Sequence, residues 1–388
     1  MYWDIRMMTY PNSKDFSSFD GKIWLNSASE GALPRASDEA LREAVEWKSK
    51  PYLLTIPRFV SAQKDLKDSL GRLLNLPARD MILGNSASHG LHLLANGIPW
   101  KKGDEVLLMQ DDFPTDILPW LALQQRGVKV RQLVPRDKVL EPGELKKNIT
   151  RQTRLVCLPH VHTFSGVILD IRRLAEMCAE QGIIFVLNIT QSVGTMPLDF
   201  SGFPVDAIVA AGYKWLCGPY GTGFAWINPA LRDQLDVNRA YWPAVLSETE
   251  LQSNGELKYK ATVDARKFDV FGTANFFNFV PFRAAIDYWI EAGMENVRAY
   301  HDRLIDRLIT GIDREKYNFI SPEDGSRRSS LVVISHKDQA RNAQIKIDLM
   351  AQGIYTAYWR GHLRLSPHVY NTEQEIETTA ETLNGIGK

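Results

Sequence analysis

The chain has 388 residues, of which 44% are hydrophobic and 24% charged, a composition typical of globular proteins that excludes collagen, coiled coils and disordered chains. Its 46 basic residues balance 46 acidic ones, so electrostatics give no reason to expect a nucleic acid or an anionic membrane as partner. The length predicts two domains, or one large domain with a smaller companion.

From about residue 21 the sequence alternates short apolar runs with amphipathic stretches. The predicted strands are 81–83, 105–109, 128–134, 154–161, 183–190, 207–212 and 222–227, with helical patterns such as 117–126 and 171–181 between them. Parallel strands need crossover helices, so this alternation predicts an α/β fold with a mainly parallel sheet covered on both faces. Ligands of such sheets bind beyond the carboxyl ends of the strands.

After the polar stretch 247–260 the order of elements changes, which indicates a second domain. The predictions there are helices 276–292 and 295–310, strands 331–336 and 354–359, and a last helix after Asn371. Thr372 and Glu375 form the pattern of a capping box at its start. We expect an N-terminal arm (1–20) that packs with the small domain, a large cofactor-binding domain (21–264) and a small C-terminal domain (265–388).

The number of cysteines and the length of apolar stretches indicate the cellular compartment of the protein. The cysteines, Cys157, Cys178 and Cys217, are odd in number and widely spaced, so neither a disulfide framework nor a zinc ribbon is expected. The first twenty residues lack the apolar core of a signal peptide, and no run is long enough to span a membrane. These features predict a soluble cytoplasmic protein that has no membrane or nucleic-acid partner.

The sequence lacks the motifs of several common enzyme classes. The sequence contains no phosphate-binding G-x-x-x-x-G-K-[ST] loop, no G-x-G-x-x-G fingerprint and no G-x-S-x-G elbow, which weighs against nucleotide hydrolysis, dinucleotide binding and serine hydrolysis. His160 and His162 could share a metal at a strand end, or could be two hydrogen-bonded histidines that line a cleft. No further ligand has a recognisable spacing, so we expect no metal.

One lysine stands out by its position. Lys214 follows the predicted strand 207–212 within the segment A-I-V-A-A-G-Y-K-W-L-C-G-P-Y-G-T-G-F. Desolvation at a strand end disfavours the ammonium form, which makes the amine available as a nucleophile towards an aldehyde. Taken alone the signal is weak, because most lysines after strands are solvated.

Two further features follow other strands and end at the same sheet edge. The segment G-N-S-A-S-H-G at 84–90 enters a helical pattern, so its N–H groups and the Ser86 and Ser88 hydroxyls could hold a phosphate, or could form a plain N-cap. Phe113 presents an aromatic face after the strand 105–109. A phosphate cradle, an aromatic ring and a nucleophilic lysine together describe a pyridoxal-phosphate site.

Several motifs in the same order resemble a known family. They are the lysine segment above, W-L-N-S-A-S-E-G-A-L-P at 24–34, and L-R-L-S-P-H-V-Y-N-T at 363–372. The chain resembles the class V aminotransferase family of fold-type I pyridoxal-phosphate enzymes, which includes cysteine desulfurases, isopenicillin-N epimerase and kynureninase. The resemblance implies a large domain with a mainly parallel seven-stranded sheet, a smaller C-terminal α+β domain, bound pyridoxal 5'-phosphate and a homodimer.

The resemblance also implies roles for individual residues. Lys214 forms the internal aldimine, Ala87 and Ser88 bind phosphate, Phe113 stacks on the pyridine ring, Asn188 faces its nitrogen, Gln191 contacts the phenolic oxygen, Tyr213 is a candidate phosphate ligand, Gly272 and Thr273 reach the phosphate from the other subunit, Arg364 holds the substrate α-carboxylate, and His162 shapes the substrate pocket with Phe164.

Asn188 departs from the family pattern, which has an aspartate paired with the pyridine nitrogen at that position. A carboxylate stabilises a protonated ring nitrogen, whereas a neutral amide holds a proton there far less well. Chemistry that discharges the Cα carbanion at once, such as β-elimination, needs the electron sink less than transamination does. A decayed, non-catalytic site is the competing interpretation.

Two other departures from the family pattern weigh against particular activities of the family. Desulfurases carry a persulfide-forming cysteine on a loop before the carboxylate-binding arginine, and the corresponding stretch 354–362 has no cysteine. The arginine that kynureninases have near 161–166 is also missing. We therefore expect a pyridoxal-phosphate enzyme acting on a small α-amino acid, by β-elimination as in a carbon–sulfur lyase, with transamination or epimerisation as alternatives and a non-catalytic binding protein as an alternative of another class.

Overall fold

The computed structural model describes residues 13–237, 240–259, 264–272 and 275–386. Its strands are β1 (Ile23–Trp24), β2 (Met81–Gly84), β3 (Glu105–Met109), β4 (Lys129–Leu133), β5 (Thr153–Pro159), β6 (Ile184–Asn188), β7 (Ala207–Ala211), β8 (Gly223–Ile227), β9 (Tyr317–Phe319), β10 (Val332–His336), β11 (Ile354–Tyr355), β12 (Ala357–Trp359) and β13 (His362–Leu365). Its α-helices are α1 (Arg35–Ser49), α2 (Ile56–Leu74), α3 (Ala87–Gly97), α4 (Leu118–Leu121), α5 (Pro142–Asn148), α6 (Ile171–Glu180), α7 (Pro229–Arg232), α8 (Trp242–Val245), α9 (Glu248–Gln252), α10 (Phe276–Ala292), α11 (Met294–Gly311), α12 (Asn342–Ala351) and α13 (Glu373–Gly385).

The large sheet has seven strands in the order β2-β8-β7-β6-β5-β3-β4. All neighbours pair in parallel except β8, which is antiparallel to both β2 and β7. Apolar side chains are buried against both faces of this sheet, in two separate clusters. The predicted fold is therefore confirmed, and the six parallel strands direct their carboxyl ends to one edge.

Several predicted boundaries were wrong by a few residues, for one shared reason. The strands predicted at 154–161 and 183–190 end at Pro159 and Asn188, where the chain leaves the sheet and turns. The helix predicted at 117–126 is a single α-turn, α4, that continues as a 3₁₀-helix over Ala122–Arg126 and stops at Gly127 with φ 80°. Apolar periodicity persists past the point where backbone pairing stops.

The C-terminal part of the chain forms a separate antiparallel sheet in the order β12-β13-β10-β9. The single strand predicted at 354–359 was wrong, because its pairing partner changes at Thr356: β11 pairs in parallel with β1, and β12 pairs with β13. The predicted capping box is confirmed, with the Glu375 N–H donating to Thr372 Oγ1 at 3.1 Å and the Thr372 N–H to Glu375 Oε2 at 3.0 Å.

Residues near both ends of the chain contact each other and the loop after β7. The Phe16 ring meets the Tyr370 ring edge-on with centroids 5.2 Å apart, but residues 1–12 of the predicted arm lie outside the described residues. His368 Nε2 donates to the Trp215 carbonyl at 2.9 Å, which ties the C-terminal segment to the residue after Lys214. Among the helices of the described residues, none combines the length and apolarity that a membrane span needs. The domain limits at 20 and 264 stay predictions.

The loop that carries Lys214 lies against the N-terminal segment at Gly31. The Gly31 N–H donates to the Tyr213 carbonyl at 2.9 Å. A Cβ atom at this glycine would lie 2.0 Å from the Lys214 carbonyl oxygen and 2.8 Å from Cys217 Sγ. Only glycine permits this approach, so the position of the lysine loop depends on it.

Replacing Gly31 by Ala should lower the free energy of unfolding by about 3 kcal/mol, because backbone on both sides must move to admit the methyl group. Gly143→Ala is the matched control, since its Cβ would meet nothing within 4 Å, and it should leave stability unchanged or slightly raised. Urea denaturation measures both. Equal midpoints for the two variants would contradict the claimed close approach.

Candidate functional site

The carboxyl ends of β2, β5, β6 and β7 meet at one edge of the large sheet and surround a partly open cavity. The residues that follow those strands line it, together with residues from the turn after β3. They are Ser86, Ala87, Ser88, Phe113, Thr115, Asp116, Pro159, Val161, Thr163, Asn188, Thr190, Gln191, Ala211, Tyr213 and Lys214. The sheet topology thus brings together segments that lie far apart in the sequence.

Lys214 extends into this cavity beneath the aromatic ring of Phe113, with its Nζ atom 5.1 Å from the ring centroid. Burial, assisted by the nearby positive charge of Arg364, lowers the pKa of the Lys214 amine to about 8. The carboxylates of Asp116 and Glu30 act in the opposite direction. A substantial fraction of the amine is therefore neutral and nucleophilic near neutral pH.

The opposite part of the cavity lies at the N-terminus of α3. Ser86 is the N-cap residue and Ala87 the first helical residue, and the first N–H groups of a helix lack partners within it. The Ser88 hydroxyl lies against the Thr115 hydroxyl, which brings the turn after β3 to the same place. A Cβ at Gly223 would lie 2.6 Å from the Ser86 backbone, so a glycine in β8 lets this turn sit close to the sheet. The arrangement suits an anion.

Asn188 and Asp116 form one hydrogen-bonded unit in the cavity wall. The Asn188 side-chain NH₂ group donates to both Asp116 carboxylate oxygens, at 2.8 and 3.0 Å. The side-chain Oδ1 atom of Asn188 accepts from the Thr190 N–H at 3.0 Å. Both side chains are buried, with 5% and 2% of their surface exposed. An acidic group therefore lies where the sequence alone indicated only a neutral amide.

The Asp116 carboxyl is perturbed by its surroundings. Burial raises the pKa of Asp116 to about 7, while the bond from Asn188 and the positive charge of Lys214 lower it. Burial also raises the pKa of Asp112 in the same turn, and the Asp116 charge raises it further. Two neighbouring buried carboxyls of this kind resist being ionised together.

Arg364 lies on β13 and is almost fully buried, with 3% of its surface exposed. One terminal nitrogen donates to Ser29 Oγ at 2.7 Å and the other reaches the Thr163 carbonyl at 3.5 Å, while no described residue bonds to its Nε atom. Burial lowers the pKa of Arg364 to about 10. A buried guanidinium with an unfilled donor is suited to a carboxylate that arrives from outside the chain.

Gln191 and Tyr213 line the cavity but are also engaged by the protein. Gln191 Nε2 donates to the Ala28 carbonyl at 3.1 Å, and Gln191 Oε1 accepts from Trp215 Nε1 at 2.7 Å. The Tyr213 ring stands 4.5 Å from that of Tyr220, and burial raises the pKa of the Tyr213 hydroxyl. Their predicted contacts with a cofactor stay predictions.

His162 does not line the cavity, and both of its ring nitrogens have protein partners. Nδ1 contacts Ser165 Oγ at 2.8 Å and Nε2 the Asp111 carbonyl at 3.1 Å, so Nε2 carries the proton. Burial lowers the pKa of His162, which keeps it neutral. His160 bonds to Ser192 Oγ at 2.9 Å. Within the described ranges no group of three or more histidine, cysteine, aspartate or glutamate side chains could hold a metal ion.

Gly272 is not among the residues that line this cavity. Its N–H donates to the Tyr241 hydroxyl at 2.9 Å. Thr273 lies outside the described residues. The predicted role of this pair, in a site completed by a second subunit, stays a prediction.

Sequence reasoning singled out Phe113 but gave no role to Thr115 or Asp116, which follow it closely in the chain. Glu30 was also missed, although its segment was quoted. An acidic residue three positions after the aromatic one was the available signal. The residue it faces, 72 positions further along the chain, could be found only from the fold.

The cavity fits pyridoxal phosphate, the cofactor that the resemblance implies. Ser86, Ala87 and Ser88 at the start of α3 suit its phosphate, Phe113 suits its ring, and the Lys214 amine suits its aldehyde. The buried Asn188–Asp116 unit supplies a polar group for the ring nitrogen.

Comparisons with known proteins identify the family of the chain and its relatives in fold. The family model described as "Aminotransferase class-V" matches residues 57–378. A probable cysteine desulfurase of Methanothermobacter thermautotrophicus is 24% identical, over 98% of this chain and 99% of the relative. The isopenicillin N epimerase of Streptomyces clavuligerus is 23% identical, over 93% of this chain and 94% of the relative.

Two solved structures share the fold. A complex of the cystine C–S lyase C-DES with its reaction product cysteine persulfide has a TM-score of 0.86 at 21% identity and covers 95% of this chain and 98% of its own. The apo cysteine desulfurase of Thermococcus onnurineus has a TM-score of 0.85 at 21% identity, over 98% and 99% of the two chains.

The lowered pKa of Lys214 predicts a pH dependence. In cofactor-free protein the rate of reaction with pyridoxal phosphate should rise with pH through a midpoint of about 8, because only the neutral amine attacks an aldehyde. Arg364→Gln should move that midpoint upward, because it removes a positive charge that disfavours the ammonium form. Stopped-flow absorbance at a series of pH values measures both.

Arg360→Gln is the matched control, because Arg360 is paired with Asp111 and is not among the charges that shift the pKa of Lys214. It should leave the midpoint in place. A wild-type midpoint near the ordinary lysine value of 10.5 would contradict the assignment.

Proposed function

This chain belongs to the aminotransferase class-V family, and from that premise we propose that it catalyses β-elimination from a small sulfur-containing α-amino acid, as a carbon–sulfur lyase does. It is a pyridoxal-phosphate-dependent enzyme. When bound, the cofactor supplies the electron sink for a carbanion at the substrate Cα. The side chains of this chain have to bind the amino acid, orient it and move its protons.

In this proposal Lys214 carries the cofactor and then acts as the base at Cα. Its amine has a pKa of about 8, which matches a group that must take up and release a proton near neutral pH. Ala87 and Ser88 bind the phosphate at the start of α3, and Phe113 covers the ring. Their positions in one cavity support these roles.

Arg364 is proposed to bind the substrate α-carboxylate. Its guanidinium is buried within the same region, it lowers the pKa of Lys214 through its charge, and its Nε atom has no partner in the described part of the chain. A bidentate guanidinium–carboxylate pair would orient the Cα–H bond of the amino acid.

In the proposed β-elimination every bond that breaks has an acceptor for its proton or electron pair. The Cα–H bond breaks and its proton passes to the Lys214 amine, and then the Cβ–S bond breaks with its electron pair leaving on sulfur. Addition of water to the remaining three-carbon unit releases pyruvate and ammonia. With cysteine the sulfur product is hydrogen sulfide, and with cystine it is cysteine persulfide.

The choice of β-elimination over desulfuration rests on the composition of the segment from β11 to β13. This segment has no cysteine, so no thiol there can accept sulfur from a substrate as a desulfurase cysteine does. Instead it forms paired strands and a turn whose Arg360 lies 3.9 Å over the Phe164 ring and pairs with Asp111 at 3.0 Å. Sulfur released in such a site leaves with the product. The likeness in fold to the cystine C–S lyase C-DES supports the same choice.

We also propose that the enzyme is a homodimer in the cytoplasm. Phe271 and Trp242, next to Gly272 and its partner Tyr241, expose 59% and 55% of their surface, and large exposed aromatic side chains favour an interface. A second copy there would support the role proposed for Gly272 and Thr273. The buried cysteines, none of which forms a disulfide, support a reducing compartment.

Holoenzyme incubated with cysteine or cystine should form pyruvate and ammonia in equal amounts without an added keto acid. Arg364→Ala should raise the half-saturating amino-acid concentration by roughly ten- to hundredfold, because a charge-assisted hydrogen-bond pair is lost. Coupled assays of pyruvate and ammonia measure this.

The control is Arg314→Ala, which removes an exposed arginine paired with Glu323 and should change nothing. Keto acid that forms only when a second keto acid is present would show transamination instead. Loss of optical activity without keto acid would show epimerisation.

A further inference from the structure

Both the oxygen and the nitrogen of the Asn188 side-chain amide are hydrogen-bonded to the protein before any ligand binds. Its oxygen accepts from the Thr190 N–H and its NH₂ group donates to Asp116. The reverse orientation would set the amide oxygen against a carboxylate and the NH₂ group against an N–H donor, so the network fixes the assignment. Turning this amide towards a ring nitrogen would leave a buried carboxylate without its donor, which is costly.

Asp116 itself has capacity left for a further donor. A carboxylate offers about four lone-pair positions, and Asn188 is the described residue that bonds to it. No ion pair joins Asp116 to a basic side chain in the described ranges. Its side chain is buried and lines the same cavity as Lys214 and Phe113. A buried carboxyl in this state is suited to a donor that enters with the ligand.

Charged and titratable groups face Asp116 from several neighbouring elements. Asp112 lies in the same turn and is itself close to Arg360, Lys214 follows β7, and the buried thiol of Cys157 lies on β5. Burial raises the pKa of Asp116 to about 7, and Lys214 is the cation that opposes this. A further positive partner would stabilise the Asp116 carboxylate in the same way as Lys214 does.

We propose that Asp116, held in place by Asn188, is the carboxylate that pairs with the ring nitrogen of pyridoxal phosphate in this chain. The family position, 188, then serves as a positioning residue, and the charge has moved to a residue of the turn after β3. The inference rests on the cofactor site of the proposed function and is independent of the reaction catalysed there.

The pairing has a consequence for the electron sink. A carboxylate on the ring nitrogen stabilises its protonated form as the family aspartate does, so Asn188 does not by itself disfavour transamination. The choice of β-elimination then depends on the segment from β11 to β13 and not on residue 188.

The test compares binding of pyridoxal phosphate with binding of an analogue in which a C–H group replaces the ring nitrogen, in cofactor-free protein and without amino acid. Wild type should bind pyridoxal phosphate roughly ten- to hundredfold more tightly than the analogue, the effect of one charge-assisted hydrogen bond. Asp116→Asn should bind the two within about threefold of each other. Asp112→Asn, a neighbouring buried carboxyl outside the cavity lining, should keep the wild-type ratio.

A purely structural role for Asp116 would weaken both ligands equally and leave the ratio unchanged, which would overturn the proposal. A ratio lost in Asn188→Ala but kept in Asp116→Asn would overturn it as well, in favour of the amide. Nitrogen-15 resonance of the bound cofactor in wild type needs no variant: a protonated ring nitrogen is expected, and an unprotonated one would contradict the pairing. Because no substrate is present, failure of the elimination assay leaves these results unaffected.

Discussion

Burial of the Lys214 amine is the constraint on which the site depends. An ammonium group loses hydration at the sheet edge and lies near the Arg364 cation, and together these bring its pKa to about 8. Several parts of the fold hold the lysine there. Gly31 allows the N-terminal segment to touch its carbonyl, and His368 binds the carbonyl of the next residue. The C-terminal part of the chain, through Arg364 and His368, thus contributes to the reactivity of Lys214.

The site contains two pairs of like-charged groups, one of two basic side chains and one of two acidic side chains. Arg364 and Lys214 repel each other until a carboxylate reaches Arg364, and Asp112 and Asp116 resist joint ionisation until a cation reaches one of them. Each unfavourable pair is relieved by a complementary group on a ligand. A zwitterionic amino acid and a cofactor with a basic ring nitrogen carry the groups required. The neutral net charge of the chain conceals this local arrangement.

The fold and most cavity residues could be predicted from sequence, and the reasons are physical. Strand and helix periodicity located the seven strands, and parallel pairing places the residues after them at one edge, which is why Ser88, Phe113 and Lys214 were expected together. The bond between Asn188 and Asp116 was out of reach, because it depends on how two turns 72 residues apart face each other. The sequence could not predict that the strand 354–359 divides at Thr356 for a similar reason. Its two halves pair with different strands, and that pairing depends on the tertiary fold.

The central claim is that Lys214 is the residue to which the cofactor is covalently attached. Borohydride reduction of the holoenzyme, followed by proteolysis and mass spectrometry, tests it directly. The account predicts a single reduced pyridoxyl group on Lys214 and none on the other lysines, including the buried Lys67, which is paired with Asp269 at 2.8 Å. Attachment to another lysine, or no attachment in protein that retains the cofactor's visible absorbance, would contradict it.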